Sequence, residues 1–289
     1  MMFTPIASRL KNARTYLPLA YSPLDWFSFA LLGVTRGRLS FLVRSLFSGK
    51  LVIRPALFGG MKLVLNPLDP IHLIVFREVV QDINYDLGLV PFTPDQIFDC
   101  GGHIGMFSLL ARSRYPLARL TIFEPNPHNI AWIRQQAKLN SMNIEVVQAA
   151  VSVRDGEATF QDRFSYSGHL VDDGKSFARE QHVWEQSEWA EEVRGSPKGR
   201  YIVRIVDLPA MLSQRRPERL LLKLDVEGEE ARIIPELFDA LPRLSAVFFE
   251  THHGESGWDR AKQQFVNHGF AVERRRSTRV CIAGFALRS

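Results

Sequence analysis

Cysteine is scarce in this sequence, and long hydrophobic runs are missing. The two cysteines, Cys100 and Cys281, cannot form a disulfide framework, and neither lies in a C-x-x-C or metal-ligand spacing. We expect both to be small buried side chains in a reducing compartment. The most apolar stretch near the start, Trp26 to Val34, covers nine residues, whereas a bilayer crossing needs about 20. With no signal-peptide pattern at the start, the sequence predicts a cytoplasmic protein.

Acidic residues are almost absent from the first part of the chain. Residues 1–62 contain nine Lys and Arg but a single acid, Asp25, while the whole chain carries a net charge of +5. The basic and apolar stretch at residues 24–47 suits a peripheral membrane contact or a partner helix, although packing on the main domain is the simpler explanation. The basic run at residues 274–276 lacks the interleaved aromatic residues of a single-strand platform, so we expect no nucleic-acid partner.

Turn residues and a change of composition divide the chain in two. Residues 1–48 are predicted to be helices, and short alternating segments on either side of Gly59-Gly60 predict a β-hairpin. A break with two prolines follows at residues 89–95. We therefore predict a basic N-terminal extension of helices and a hairpin over residues 1–90. A Rossmann-like domain over residues 91–289 is predicted to follow it.

From residue 97 onward, short apolar runs alternate with helical patterns. This alternation predicts βαβ units, a mainly parallel sheet and the α/β class, in which ligands bind beyond the carboxyl ends of the strands. Residues 152–206 interrupt the pattern as an insertion, with a helix predicted over residues 180–193. The insertion either covers a pocket or lies on the surface. The predicted strands are Ile97–Asp99, Leu120–Glu124, Ile144–Ala149, Leu220–Leu224, Ala246–Glu250 and a terminal pair at residues 270–275 and 280–287.

A glycine-rich turn joins the first of these strands to a helix. It runs Asp99-Cys100-Gly101-Gly102-His103-Ile104-Gly105, and its glycines permit a tight turn and a close approach of the backbone to a ligand. A dinucleotide-binding turn has glycine where Asp99 stands. An acid there repels phosphate and attracts an ammonium group, so the turn favours S-adenosylmethionine over NAD. The predicted cofactor contacts in this turn are Asp99, Gly101, Gly102, His103 and Gly105.

A second acid, Glu124, ends the next strand, 25 residues after Asp99. A carboxylate at this place accepts hydrogen bonds from the ribose hydroxyls of a bound nucleoside. The third strand ends near residue 150, where an adenine ring would be sandwiched. The predicted nucleoside contacts are Glu124, Pro125, Asn126, Ala150 and Val151.

At these motifs and two later ones the chain resembles the FkbM family of methyltransferases. The turn at residues 99–105 resembles that family's D-x-G-A-N-I-G, with Gly102 and His103 in place of Ala and Asn. Residues 123–127, FEPNP, resemble its F-E-P-x-P, and residues 222–230, LKLDVEGEE, resemble its hallmark K-x-D-V-E-G-x-E. The apolar strand that ends in Glu250 is similar as well. The resemblance implies a Rossmann-like, seven-stranded class I methyltransferase sheet, an S-adenosylmethionine cofactor and O-methylation, often of sugars or natural-product hydroxyls.

Charged residues follow the fourth and fifth predicted strands. Asp225 and Glu227 follow the fourth strand and His252 follows the fifth, and adjacent strand ends bring such groups into one cleft. Methyl transfer to a hydroxyl is helped by a base that takes the proton. We predict that Asp225 or His252 is this base and that Glu227 and Lys223 set the local charge. Helix capping and a buried ion pair are the structural alternatives.

The same acids and a histidine could hold a metal ion, and two other functions compete with methyl transfer. No spacing here is a metal signature, so we predict a metal-free site, with Mg²⁺ as the minor alternative. The acceptor is predicted to be a small molecule or a glycan, with the hydroxyl of a sugar, glycolipid or natural product favoured. The competing functions are an NAD(P)-binding oxidoreductase and a non-catalytic methyltransferase-like interaction module. The N-terminal extension could also form a homodimer.

Overall fold

A seven-stranded sheet forms the centre of the protein. The structure is a computed structural model, and it describes residues 50–66, 69–81, 84–163, 168–171, 198–252, 254–277 and 281–288. The strands of the sheet are β3 Gln96–Cys100, β4 Arg119–Phe123, β5 Glu145–Val147, β10 Arg219–Leu224, β11 Leu244–Thr251, β12 Ala271–Ser277 and β13 Ile282–Arg288. Their order is β12-β13-β11-β10-β3-β4-β5, and only β13 and its two pairings are antiparallel. The predicted α/β class and Rossmann-like seven-stranded sheet are confirmed.

The central strands are apolar along almost their whole length. Every residue of β3 is buried, and so is every residue of β10 after Arg219. Near-continuous apolar runs are typical of parallel strands that are covered on both faces. The register aligns Leu224 of β10 with Cys100 of β3 and with Phe249 of β11. The loops that follow these strands therefore lie side by side at one edge of the sheet.

Helices connect the strands, and their starts are set by local sequence. They are α1 Pro70–Phe76, α2 Met106–Arg114, α3 Pro127–Leu139, α4 Leu208–Arg215, α5 Glu230–Leu237 and α6 Gly254–Asn267. Asp69, Asn126 and Asp207 each cap a helix by accepting a backbone N–H, and a proline in the first turn presets the backbone angle. Helix α2 begins differently. The residue before it is Gly105, which has a left-handed backbone conformation and no side chain to cap the helix.

The insertion forms a second sheet in its described part. Strands β6 Ala150–Ser152, β7 Gly156–Arg163, β8 His169–Leu170 and β9 Lys198–Asp207 pair in the order β6-β9-β7-β8. The predicted third strand, residues 144–149, is wrong in its extent, because β5 ends at Val147 and residue 150 already belongs to the second sheet. The predicted helix at residues 180–193 lies outside the described residues.

The described N-terminal elements share a hydrophobic core with the central sheet. Strands β1 Leu51–Ile53 and β2 Leu63–Leu65 form the predicted antiparallel hairpin. Leu65 and Phe76 are fully buried, in the same apolar cluster as Leu109 of α2 and Phe248 of β11. The domain boundary at residue 91 stays a prediction. The predicted helices of residues 1–48, including the basic stretch at 24–47, lie outside the described residues.

A side-chain amide docks the hairpin onto helix α3. The backbone N–H of Val64 donates to Gln136 Oε1 at 3.0 Å, and Gln136 Nε2 donates to the Val64 carbonyl at 2.6 Å. Asn140, one turn later, makes the same pair of bonds with Lys62. Gln136 is 1% exposed, so both groups of Val64 depend on it for their hydrogen bonds.

Neither cysteine forms a disulfide. Cys100 is buried at the end of β3 and Cys281 is half-buried before β13. Within the described residues, no helix combines the length and the apolar character that a bilayer crossing requires.

Replacing Gln136 with leucine is expected to destabilise the protein. Gln136→Leu leaves the Val64 N–H and carbonyl buried without partners, which costs about 2–4 kcal/mol of unfolding free energy. Gln263→Leu is the matched control, since Gln263 is exposed on α6, and it should change stability by less than about 0.5 kcal/mol. Urea denaturation measures both variants. Equal stability of the two would contradict this docking role.

Candidate functional site

The glycine-rich turn lies between the ends of three strands. Gly101 and Gly102 donate their backbone N–H groups to the carbonyl of Phe123, the last residue of β4. Gly101 has a φ of 81°, and a Cβ there would lie 1.9 Å from the Asp225 carbonyl oxygen. Only glycine allows this approach. The turn is therefore pinned to β4 on one side and to the loop after β10 on the other.

Asp99, the first residue of the predicted turn, is completely buried. Its Oδ2 accepts from the Ser108 hydroxyl at 2.5 Å, and its Oδ1 lies 3.5 Å from Lys223 Nζ. Burial raises the pKa of the Asp99 carboxyl above its ordinary value, although Lys223 and Ser108 oppose the shift. The carboxylate therefore faces groups of the protein, and it acts on the turn through α2 and Lys223.

Glu124 lies at the carboxyl end of β4 and is 5% exposed. Its Oε2 accepts from the backbone N–H of His103 at 2.7 Å, and its Oε1 accepts from the N–H of Asn126 at 2.9 Å and from Asn129 Nδ2 at 3.3 Å. Burial raises the pKa of Glu124 to about 7, and these hydrogen bonds oppose it. A carboxylate accepts about four hydrogen bonds, so three protein donors leave room for about one more.

The other predicted nucleoside contacts lie around Glu124 and in the second sheet. Pro125 follows Glu124 directly, and Asn126 caps α3 and donates from Nδ2 to Asp162 Oδ2 of β7 at 3.0 Å. Ala150 and Val151 are buried residues of β6. The second sheet thus touches the same end of β4 that carries Glu124.

Lys223 is a buried cation at the centre of the site. Its Nζ donates to the Gly101 carbonyl at 2.5 Å and to the Cys100 carbonyl at 3.4 Å. It also lies 3.4 Å from Asp225 Oδ2. Burial alone would lower the pKa of Lys223, but the carboxylates of Asp225, Asp99 and Glu250 raise it above its ordinary value. Lys223 therefore stays charged and joins the glycine turn to the loop after β10.

Asp225 receives a hydrogen bond from a residue that the sequence patterns did not indicate. The hydroxyl of Tyr85 donates to Asp225 Oδ2 at 3.3 Å. The Tyr85 ring packs edge-on against Phe107 and Phe248 at centroid distances of 5.1 and 5.8 Å. No local motif marks Tyr85, which is 140 residues away in sequence. The Asp225 side chain is 25% exposed, so it combines fixed partners with access from outside.

Glu227, in the loop after β10, and His252, directly after β11, lie next to each other. Glu227 has a left-handed backbone, with φ 56°, and its Oε2 lies 3.5 Å from His252 Nε2. The other ring nitrogen of His252, Nδ1, lies 3.3 Å from Oε1 of Glu230. Burial lowers the pKa of His252, but Glu230 and Glu227 raise it well above its ordinary value. The imidazole is therefore held in its charged form.

Glu230 is a further residue that the sequence analysis missed. Its carboxylate accepts from the backbone N–H groups of Val226 and Gly228 at 2.7 and 2.8 Å. These two bonds fold the loop after β10 around the carboxylate. The signal was in the sequence, because Glu230 belongs to the K-x-D-V-E-G-x-E motif, but the motif alone does not say which acid holds the loop.

Carboxylates outnumber cations where these strands end. Burial and the Asp225 charge raise the pKa of Glu250 to about 7, and burial raises that of Glu227 well above its ordinary range. A positively charged ligand would stabilise the ionised form of these carboxyl groups and lower their pKa values. S-adenosylmethionine carries a sulfonium and an ammonium, so this donor set fits it. The carboxyl groups are Asp99, Asp225, Glu227, Glu230 and Glu250, and the cations are Lys223 and His252.

Three of these groups also offer metal-ligand atoms. One ligand atom each from Asp225, Glu227 and His252 lies within 4.8 Å of the other two. Carboxylate oxygen and imidazole nitrogen suit several divalent cations. In the described part of the chain, however, both nitrogens of His252 already lie near carboxylates.

Comparison with known proteins gives the following similarities. Residues 99–272 match the model of the methyltransferase FkbM domain. The chain is 27% identical over 173 residues to methyltransferase sdnD of Sordaria araneosa, covering 55% of this chain and 66% of that protein. It is 29% identical over 219 residues to the 31-O-demethyl-FK506 methyltransferase FkbM of Streptomyces tacrolimicus, covering 68% and 81%. Among solved structures, the methyltransferase FkbM of Methylobacillus flagellatus KT aligns with 97% of this chain and 59% of its own, at 11% identity and a TM-score of 0.47.

Proposed function

The chain belongs to the FkbM methyltransferase family, and from this premise we propose that it methylates a hydroxyl of a sugar, glycolipid or natural-product acceptor. It is an S-adenosylmethionine-dependent methyltransferase, and the bound cofactor supplies an electrophilic methyl group. One relative is named for a 31-O-demethyl compound, which supports oxygen as the methylated atom. The family assignment stands against the alternatives of an NAD(P)-binding oxidoreductase and a non-catalytic module.

The cofactor is proposed to lie along the glycine turn and the end of β4. Its methionine end would lie beside Gly101, Gly102, His103 and Gly105. Asp99 would not touch the cofactor but would hold Lys223, which in turn contacts the Gly101 carbonyl. The nucleoside would lie beside Glu124, Pro125 and Asn126, with Ala150 and Val151 behind the adenine. The uncapped start of α2 supports this placement, because backbone N–H groups at a helix start attract a carboxylate.

We infer that Asp225 is the base. His252 lies between Glu230 and Glu227 and holds a proton already, so it cannot accept another. Asp225 is more exposed than Glu227, the other acid of this loop near His252. Both of its described contacts, from Tyr85 and Lys223, are made to Oδ2. This leaves Oδ1 to receive the proton of the acceptor hydroxyl as its oxygen becomes the nucleophile.

The remaining charged residues position the base. Lys223 and Tyr85 fix the Asp225 carboxylate, so the acceptor hydroxyl meets an oriented group. Glu227 and His252 lie beside it and contact each other, with 3.5 Å between Oε2 and Nε2. The observation that carries the proposal is the fixed yet accessible carboxylate of Asp225 beside the cofactor turn.

Asp225→Asn is expected to stop methyl transfer while leaving the cofactor site intact. The amide cannot take the proton, so transfer should fall about 100-fold or more. Incorporation of labelled methyl groups into a panel of sugar, glycolipid and polyketide alcohols measures it, and calorimetry with S-adenosylhomocysteine checks the cofactor site. Asp239→Asn, at an exposed acid, is the control. Unchanged transfer by Asp225→Asn, or a parent that methylates amines but no alcohol, would refute the proposal.

A divalent cation at Asp225, Glu227 and His252 is the second candidate for how the site works. The convergence of their ligand atoms favours a metal ion. A protonated His252 opposes it, because an imidazolium has no lone pair to offer to a metal. We propose a metal-free reaction and expect methyl transfer to survive EDTA treatment with less than about a twofold change. Loss of transfer on chelation, with recovery on adding Mg²⁺ but not Na⁺, would establish the metal-dependent mechanism instead.

Two proposed partners concern parts of the protein away from this cleft. A peripheral membrane contact through residues 24–47 and a homodimer through the N-terminal extension stay predictions. The first lies outside the described residues. Neither affects the assignment of the cofactor turn or of the base.

A further inference from the structure

One face of the second sheet lies against the end of β4 that carries Glu124. Tyr201 of β9 pairs directly with Phe160 of β7, and their rings lie 5.6 Å apart. Asp162 lies two residues beyond Phe160, so its side chain is on the same face of the sheet. Diagonal neighbours on one face are within reach of a long aromatic side chain. Tyr201 and Asp162 are therefore part of one surface.

That surface is joined to the end of β4 by a chain of hydrogen bonds. Asp162 Oδ2 accepts from Asn126 Nδ2 at 3.0 Å, and the Asn126 backbone N–H donates to Glu124 Oε1 at 2.9 Å. The carboxylates of Asp162 and Glu124 both act on the Tyr201 phenol. Together with burial, the larger cause, they hold the pKa of Tyr201 above its ordinary range. The hydroxyl therefore keeps its proton and remains a donor.

The Tyr201 hydroxyl is shielded but makes no hydrogen bond with any described residue. A buried polar group without a partner is unfavourable, and few native proteins keep one without a reason. Glu124, by contrast, is almost saturated by three protein donors. A ribose has two neighbouring hydroxyls, and Glu124 has room for about one. The second hydroxyl needs another partner, and a phenol can both donate and accept.

We propose that Tyr201 is a cofactor-binding residue whose hydroxyl bonds a ribose hydroxyl of S-adenosylmethionine, so that the insertion completes the nucleoside site. The proposal rests on the proposed placement of the cofactor along the end of β4. It gives the insertion a role in binding the cofactor. Asp162 positions Asn126 and the sheet, and it does not itself need to touch the ligand.

The test compares two tyrosines that each lose one buried hydroxyl. Tyr201→Phe should keep the thermal midpoint of the parent, because the lost hydroxyl makes no hydrogen bond with a described residue. Its affinity for S-adenosylhomocysteine should fall about three- to tenfold, the effect of one hydrogen bond. Tyr115→Phe is the control, since its hydroxyl donates to the Leu87 carbonyl at 3.3 Å. That variant should lower the midpoint and leave the affinity unchanged.

A second ligand shows which part of the cofactor is contacted. 5′-Methylthioadenosine keeps the ribose and lacks the amino acid, so Tyr201→Phe should weaken it by the same factor. Unchanged affinity for both ligands would overturn the proposal, as would a lowered midpoint like that of Tyr115→Phe. Loss confined to S-adenosylhomocysteine would overturn the ribose assignment. A folded parent that binds neither ligand would refute the proposed cofactor site itself. A parent and a variant that bind equally well would refute only the role of Tyr201.

Discussion

The buried ammonium of Lys223 is the interaction on which the site depends. It contacts the carbonyls of Cys100 and Gly101 and lies close to the carboxylates of Asp99 and Asp225. These groups belong to two neighbouring strands and to the loops that follow them. Without a cation, the buried carboxylate of Asp99, the partly exposed one of Asp225 and two carbonyl oxygens would face one another, and the turn could not lie so close to Asp225. One side chain thus fixes the distance between the proposed cofactor turn and the proposed base.

The rest of the arrangement follows from the excess of negative charge around that ammonium. Burial, together with the charge of neighbouring carboxylates, raises the pKa values of Glu227 and Glu250. His252 is drawn into its protonated form by Glu230 and Glu227. A cationic cofactor is the complement of such a site. In the proposed mechanism, the same charges that suit a sulfonium keep His252 protonated, which is why Asp225 is proposed as the base.

The sequence predicted the sheet, the glycine turn and the acids at the strand ends because each depends on local pattern. Apolar runs mark β3, β4, β10 and β11, and Asp99, Glu124 and Asp225 follow or end them. Two tyrosines could not be found this way: Tyr85, which contacts Asp225, and Tyr201, the proposed ribose contact. They lie in the extension and in the insertion, outside all of these motifs. The error at β5 has a physical reason as well: six of the nine residues at 144–152 are apolar, on both sides of Val147, so the change of sheet after Val147 leaves no clear trace in the pattern.

Calorimetric titration of S-adenosylhomocysteine into Lys223→Met, beside the exposed control Lys262→Met, tests the central claim most directly. The control should bind as the parent does. Lys223→Met should remain folded at low temperature by circular dichroism, yet lose at least about tenfold in affinity, because the glycine turn is no longer held against the loop after β10. Parent-like affinity in Lys223→Met would contradict the account, since the turn would then keep its shape without the buried cation.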